Sequence, residues 1–165
     1  MVPKRGTALL AKDAVYGDIP VVAGGLEPST YHNVANTEAP VITISSSGAN
    51  AGFVNLWGIP VWSSDSSYID SEMTPYVYFF YEVLKRHQKN IYKIQTGSAQ
   101  PHIYPSHIAS LPIGDLDHKK IDEYTTRVTP IFLQITQNYK ESEKLSALKD
   151  WLLPMLMNGQ ATISD

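Results

Sequence analysis

Four short loops hold most of the side chains in this sequence that could engage a polar ligand. They are Ser29-Thr30-Tyr31-His32-Asn33, Ser46-Ser47-Gly48-Ala49-Asn50, Ser63-Ser64-Asp65-Ser66 and Thr96-Gly97-Ser98-Ala99-Gln100. Their hydroxyls and amides offer the donor and acceptor sets that read nucleobase edges, and the same residue types are the ordinary material of turns. A separate run, LKRHQKNIYK, places Lys85, Arg86, Lys89 and Lys93 around His87. Cations clustered in this way can hold phosphate oxygens, or they can be the solvated end of a helix whose dipole favours them. Residue type alone leaves both alternatives open.

Catalysis has no comparable foothold. SSSGANAG, residues 45–52, has the glycine content of a phosphate cradle, but Phe53 follows Gly52 where a P-loop needs lysine and a hydroxyl residue. There is no G-x-S-x-G elbow for a serine nucleophile, and no glycine-rich strand-to-helix turn for a dinucleotide or a methyl donor. His32, His87, His102, His107 and His118 show no paired metal spacing backed by carboxylates. We therefore expect no catalytic residue, no metal and no cofactor in this chain. Cysteine is absent, which removes thiol chemistry and disulfides and fits a reducing compartment.

Bulk composition narrows the classes further. The chain has 165 residues, 43% of them hydrophobic and 18% charged, enough for one folded domain with a real core. A formal net charge of −3 counts against a protein that binds nucleic acid by overall charge. No apolar run is long enough to cross a membrane and the opening residues hold no long apolar run, so a cytoplasmic location without membrane contact is expected.

The elements that must position these loops can be read in order. Residues 1–18 are polar and irregular. Short strands are expected at Ile19–Ala23, Val41–Ser45, Phe53–Leu56, Val61–Ser63 and Tyr68–Ile69, with residues 45–52 turning a hairpin. A helix follows, with Thr74 as cap, Pro75 at its first position and an end near Asn90. A brief strand at His102–Tyr104 and a helical turn at Pro105–Ala109 lead to the last third of the chain.

That last third is a long amphipathic helix. Ile121, Tyr124, Val128, Ile131 and Ile135 recur in steps of three and four, polar Asn138 and Ser142 interrupt, and Leu145, Leu148 and Leu152 resume before Gly159 ends the run. Such a stripe is a seam for a partner helix, or the inner face of an ordinary core helix. Pro130 is expected to kink the helix or divide it, and Pro154 to bend or end it. Roughly forty helical residues span on the order of 60 Å, more than a compact domain needs. The expected class is α+β: an irregular twisted-sheet domain over 1–115, a helix over 116–160 for coiled-coil-like pairing, and a tail at 161–165.

Four blocks in this order are familiar: IPVVAGG at 19–25, VITISSSGANAGFVNLWGIPVWSSDSSYI at 41–69, IQTGSAQPHIYPSHIASLPI at 94–113 and LSALKDWLLPMLMNGQ at 145–160. Together they resemble the specificity subunits of type I restriction–modification systems, in which a target recognition domain precedes a long helix. The leucine-rich ending of Leu152, Leu153, Pro154, Leu156 and Gly159 is the most specific match. The resemblance implies a non-catalytic chain that reads one half of a split site in double-stranded DNA. Its helix would pair with a second helix, and it would scaffold modification subunits, which bind S-adenosylmethionine, and restriction subunits.

On that reading, base contacts fall to Ser46, Ser47, Asn50, Thr96, Ser98 and Gln100, and phosphate contacts to Lys85, Arg86, Lys89 and Lys93. Ile121, Tyr124, Val128, Ile131, Ile135, Leu145, Leu148 and Leu152 form the partner-helix interface. The usual subunit has two recognition domains and two helices where this chain has one of each, so a fragment or a half-subunit pairing with its own copy is expected. The stretch GDLDHKKIDEY replaces the family's more usual entry to the helix. An assembly module without DNA specificity is the alternative of a different class.

Overall fold

A computed structural model describes residues 1–97, 99–114 and 117–160. It has an α+β fold in which two small sheets and three short helices are followed by one long helix. The strands are β1 (Lys4–Arg5), β2 (Ile19–Val22), β3 (Thr30–His32), β4 (Val41–Ser45), β5 (Val54–Trp57), β6 (Trp62–Ser63) and β7 (Ser66–Asp70). The helices are α1 (Val77–Arg86), α2 (Gln88–Lys93), α3 (Pro105–Ala109) and α4 (His118–Met157).

One sheet has the order β1-β7-β4-β5, with antiparallel pairing throughout. The other has the order β3-β2-β6, with β2 and β6 parallel. β4 is buried along its whole length because both of its faces are covered. Its alternation divides the core: Ile42 and Ile44 join Val54, Ile69, Val77, Phe80, Leu84 and Ile91 under the helices, while Val41 meets Val22 and Val61 between the sheets. The hairpin expected from SSSGANAG is present, with Val41 to Ile44 paired to Trp57 through Val54. The N-terminal segment expected to be irregular contributes β1, which extends the first sheet.

The loop Ser63–Ser66 is interior. Ser63 and Ser66 are fully buried; their hydroxyls lie 2.8 Å apart, and Ser66 also donates to the Val22 carbonyl at 3.2 Å. Beside β6, Asn36 and Thr37 act as a substitute strand. The Asn36 amide exchanges hydrogen bonds with the backbone of Ser63, and the Thr37 hydroxyl does so with Val61. Thr30–His32 is likewise structural: His32 is buried, accepts from the Val15 N–H at 3.0 Å and packs edge-on against Trp62.

The helix expected to run from Pro75 to Asn90 is two helices. Thr74 accepts from the Tyr76 N–H at 3.2 Å just before α1, but α1 starts at Val77. It stops at His87, whose φ of −86° and ψ of 2° begin α2, and the fully buried Ile91 ties α2 to the core. Of the kink or division expected at Pro130, the division does not occur. α4 runs unbroken for 40 residues through Pro130 and Pro154. Pro130 lies on the exposed side, where water can satisfy the carbonyl that the missing N–H would have bonded.

Both ends of α4 are chemically marked. Asp117 caps the start by accepting from the N–H groups of Lys119 and Lys120. At the far end Gly159 takes φ +66°, its N–H bonds the Leu156 carbonyl, and the Gln160 N–H reaches back to Met155. That pair of bonds is a Schellman stop.

Candidate nucleic-acid interface

Two of the four polar loops share one bridging residue, and a third, through Asp65, bonds Ser46 and Ser47. Ser47 and Thr96 each form an antiparallel bridge with His102, so a single residue joins the 46–50 turn to the 96–101 loop. The Gly48 N–H donates to the Pro101 carbonyl at 3.1 Å, and the Ile103 N–H to the Ser46 carbonyl at 2.9 Å. Thr96 and His102 exchange backbone bonds at 3.0 and 2.8 Å, closing the 96–101 loop. About half a hundred residues apart in sequence, the loops thus form one hydrogen-bonded unit; Ile103, beside it, is buried in the core.

Within this unit the expected base contacts differ. Thr96 and Gln100 are exposed and Asn50 is half-buried. Ser46 is buried, with its backbone bonded to Asp65 and Ile103, so it supports the turn and presents little surface. The Ser47 hydroxyl bonds the Asp65 carboxylate. Ser98 lies outside the described residues. Residue types missed in the sequence reading stand here too. The His102 and Tyr104 rings stack at 6.3 Å, His107 meets Tyr104 edge-on at 5.4 Å, and Tyr104 is 42% exposed. Their signal in sequence was the aromatic and histidine interleaving of H-I-Y-P-S-H, which a strand-and-turn reading passes over.

The four cations divide three ways. Lys89 and Lys93 are exposed on α2, the helix that packs on the same turn through Ile91 and Gly52. Lys85 is engaged inside: its ammonium donates to the Val54 carbonyl at 2.7 Å and sits over the Phe53 ring at 4.8 Å. Burial pushes its pKa below the ordinary lysine value, and the Glu82 carboxylate opposes that fall. Arg86 lines the groove between α1 and α4 with Glu82, Asp117 and Lys120, away from the loops. Residues 83–114 contain no aspartate or glutamate, so the segment that bears α2 and the 96–101 loop is basic within an acidic chain.

α4 meets the domain through its first half. Ile121 is buried, Phe79 packs edge-on against Tyr124 at 6.1 Å, and Phe132 packs on Tyr78 and Tyr81. The Tyr76 hydroxyl donates to Asp122 at 2.8 Å. Gly58 lies so close to Thr136 that a Cβ there would collide with the threonine side chain. A cleft of about 370 Å³ opens beyond this contact, between Leu26, Tyr31 and Trp57 on one side and Ile135 and Tyr139 on the other.

The stripe assigned to a partner helix therefore splits. Ile121, Tyr124 and Val128 are wholly or partly covered by this chain's own domain, and buried Ile121 is unavailable to a partner. The reason is geometric: α4 lies along α1, and the first turns of one face are used there. Ile131, Ile135, Leu145 and Leu148 are exposed, and Leu152 is half-exposed.

In sequence, no protein-family model and no curated protein matches the chain. In structure, it is similar to the S subunit of a type I restriction–modification system from M. genitalium. The TM-score is 0.70 at 19% identity, over 93% of this chain and 42% of that one. The chain thus spans less than half the length of the S subunit that it matches, and its sheet domain and long helix are similar in fold to part of that subunit.

Proposed function

We propose that this chain is a DNA-recognition subunit of a type I restriction–modification enzyme, reading one half of a bipartite site in double-stranded DNA. The observation that carries the reading is the joined pair of polar loops, 46–50 and 96–101, flanked by a basic segment free of carboxylates, on a fold shared with an S subunit. Exposed Thr96 and Gln100 and half-buried Asn50 present the donor and acceptor sets that base edges require, and Lys89 and Lys93 supply phosphate contacts beside them. The chain itself carries out no catalysis and holds no cofactor. S-adenosylmethionine belongs to the methyltransferase subunit docked on it, restriction subunits complete the assembly, and the complex works in the cytoplasm.

The outer stripe of α4 supports pairing with a second helix, and its spacing favours a copy of itself. Outward from a centre between Glu141 and Ser142, one half steps from Asn138 by three to Ile135 and by four to Ile131. The other half steps from Leu145 by three to Leu148 and by four to Leu152. An antiparallel two-fold pairing therefore matches Ile131 with Leu152, Ile135 with Leu148 and Asn138 with Leu145. A symmetric pair presents two identical readers, so the target has two identical, inverted halves.

The test is selection from a pool of randomised duplexes by the chain together with its methyltransferase. Enrichment of one two-part inverted motif is the expected result. If every sequence is retained equally, the chain is an assembly module; the net charge of −3 and the apolar stripe are the observations that favour that second reading.

A further inference from the structure

β5 is an edge strand of its sheet, so its outward N–H and C=O groups lack a ladder partner. At its first residue both are taken by helical side chains. Val54 donates its N–H to the Gln88 side-chain oxygen at 3.0 Å, and its carbonyl accepts from Lys85 at 2.7 Å. The Gln88 amide also donates to the Gly52 carbonyl at 2.7 Å, and Gln95 donates to the Ala51 carbonyl at 2.7 Å. Three side chains from α1, α2 and the residue just past Ile94 hold the backbone of 51–54 at four points. Gly52 completes the fit. Its φ of +84° favours glycine, and any Cβ there would run into the Ile91 side chain.

The other limb of the turn is held independently, by Asp65, Pro101 and Ile103 through backbone bonds to Ser46 and Gly48. A loop fixed on both limbs has little freedom left to lose when a ligand orders it, so its polar groups meet the right partner at lower entropic expense and a wrong partner without the slack to adapt.

We propose that Lys85, Gln88 and Gln95 are positioning residues for the 46–50 turn, setting how sharply the chain distinguishes sequences without contributing to its phosphate attraction. The inference rests on the DNA-reading function proposed above. It reverses the phosphate-binding role expected for Lys85 from its place in LKRHQKNIYK.

Two measurements on the full chain test it. The first needs no DNA: amide hydrogen exchange at Gly48 and Ala51 in Lys85→Met and Gln88→Leu. Neither amide bonds to a substituted side chain, so exchange faster by about tenfold in either variant, with α4 amides unchanged, reports loosening of the turn. Unchanged exchange at both amides overturns the clamp. The second is selection from the randomised duplex pool, with affinity followed against salt concentration. Lys85→Met should enrich a motif blurred at some positions with an unaltered salt slope. A slope reduced by about one with the motif intact would make Lys85 a phosphate contact and refute the proposal. If the unaltered chain enriches no motif, the DNA reading fails, and the exchange measurement still decides whether the clamp exists.

Discussion

The Tyr78 and Phe132 rings lie 4.5 Å apart with only 2° between their planes, joining α1 to α4 face to face. Tyr81 meets the same Phe132 edge-on at 6.2 Å, so one side chain of the long helix is held by two of the short one. Phe132→Ala removes both contacts and should lower stability by about 2 kcal/mol, measured by urea unfolding. The exposed neighbour Leu133→Ala should change it by less than about 0.5 kcal/mol. Equal effects from the two would mean that α4 is not anchored through Phe132.

Alkaline pH should loosen this junction. The Tyr76 phenol is pushed above the ordinary value of 10.0, chiefly by its hydrogen bond to Asp122, and those of Tyr78 and Tyr124 chiefly by burial. A phenol whose pKa is higher in the folded state contributes fully below pH 10.0 and loses that contribution as pH rises through its folded pKa. Stability should therefore be flat below that pH and fall above it, with phenolate absorbance rising later than in the unfolded chain. Tyr78→Phe should make the fall shallower; a fall as steep as in the unaltered protein would exclude Tyr78 as a cause.

The proposed antiparallel pairing can be tested directly because the chain has no cysteine of its own. Ile135→Cys with Leu148→Cys should give efficient disulfide cross-linking between two chains, whereas Ile135→Cys alone should give little. Efficient cross-linking of Ile135→Cys to its own copy would instead establish a parallel pair.

Salt dependence separates the three exposed cations. Lys89→Ala and Lys93→Ala should each reduce the slope of log affinity against log salt by about one. Arg86→Ala should leave the slope unchanged, because its groove is shared with Glu82 and Asp117. A lower slope for Arg86→Ala would bring the α1–α4 groove into the DNA contact.

How far the sequence spoke for the structure depended on whether a local pattern had one physical solution. VITIS, with a small-residue turn after it, could hardly be other than a hairpin, and the stripe from Ile121 onward could only be helical. Gly159 signalled its stop because a left-handed residue is what that end requires. Serines were illegible by contrast. Ser46 and Ser63 have the composition of an exposed loop and are buried, a fate decided by Asp65, Ile103 and Asn36, which are distant in the chain or on another strand. The place of Lys85 was hidden for a related reason: its neighbours in sequence are cations, whereas its ammonium meets the edge of β5 in space. Of the two outcomes expected at Pro130, division is excluded because an exposed helix face leaves water to satisfy the carbonyl that the proline frees.

The separation of the 45–52 turn into a doubly held stalk and an open tip bears on how such a protein changes over generations. The tip residue Gly48 has open space where a side chain would go, and Ala49 is exposed, while Ala51 and Gly52 below them are buried in the core or against it. Inheritance can therefore alter the tip at 49–50 freely, one codon at a time, while selection against misfolding bears on the stalk. On the proposed DNA-reading function, what such a chain recognises is thereby separable from how it folds.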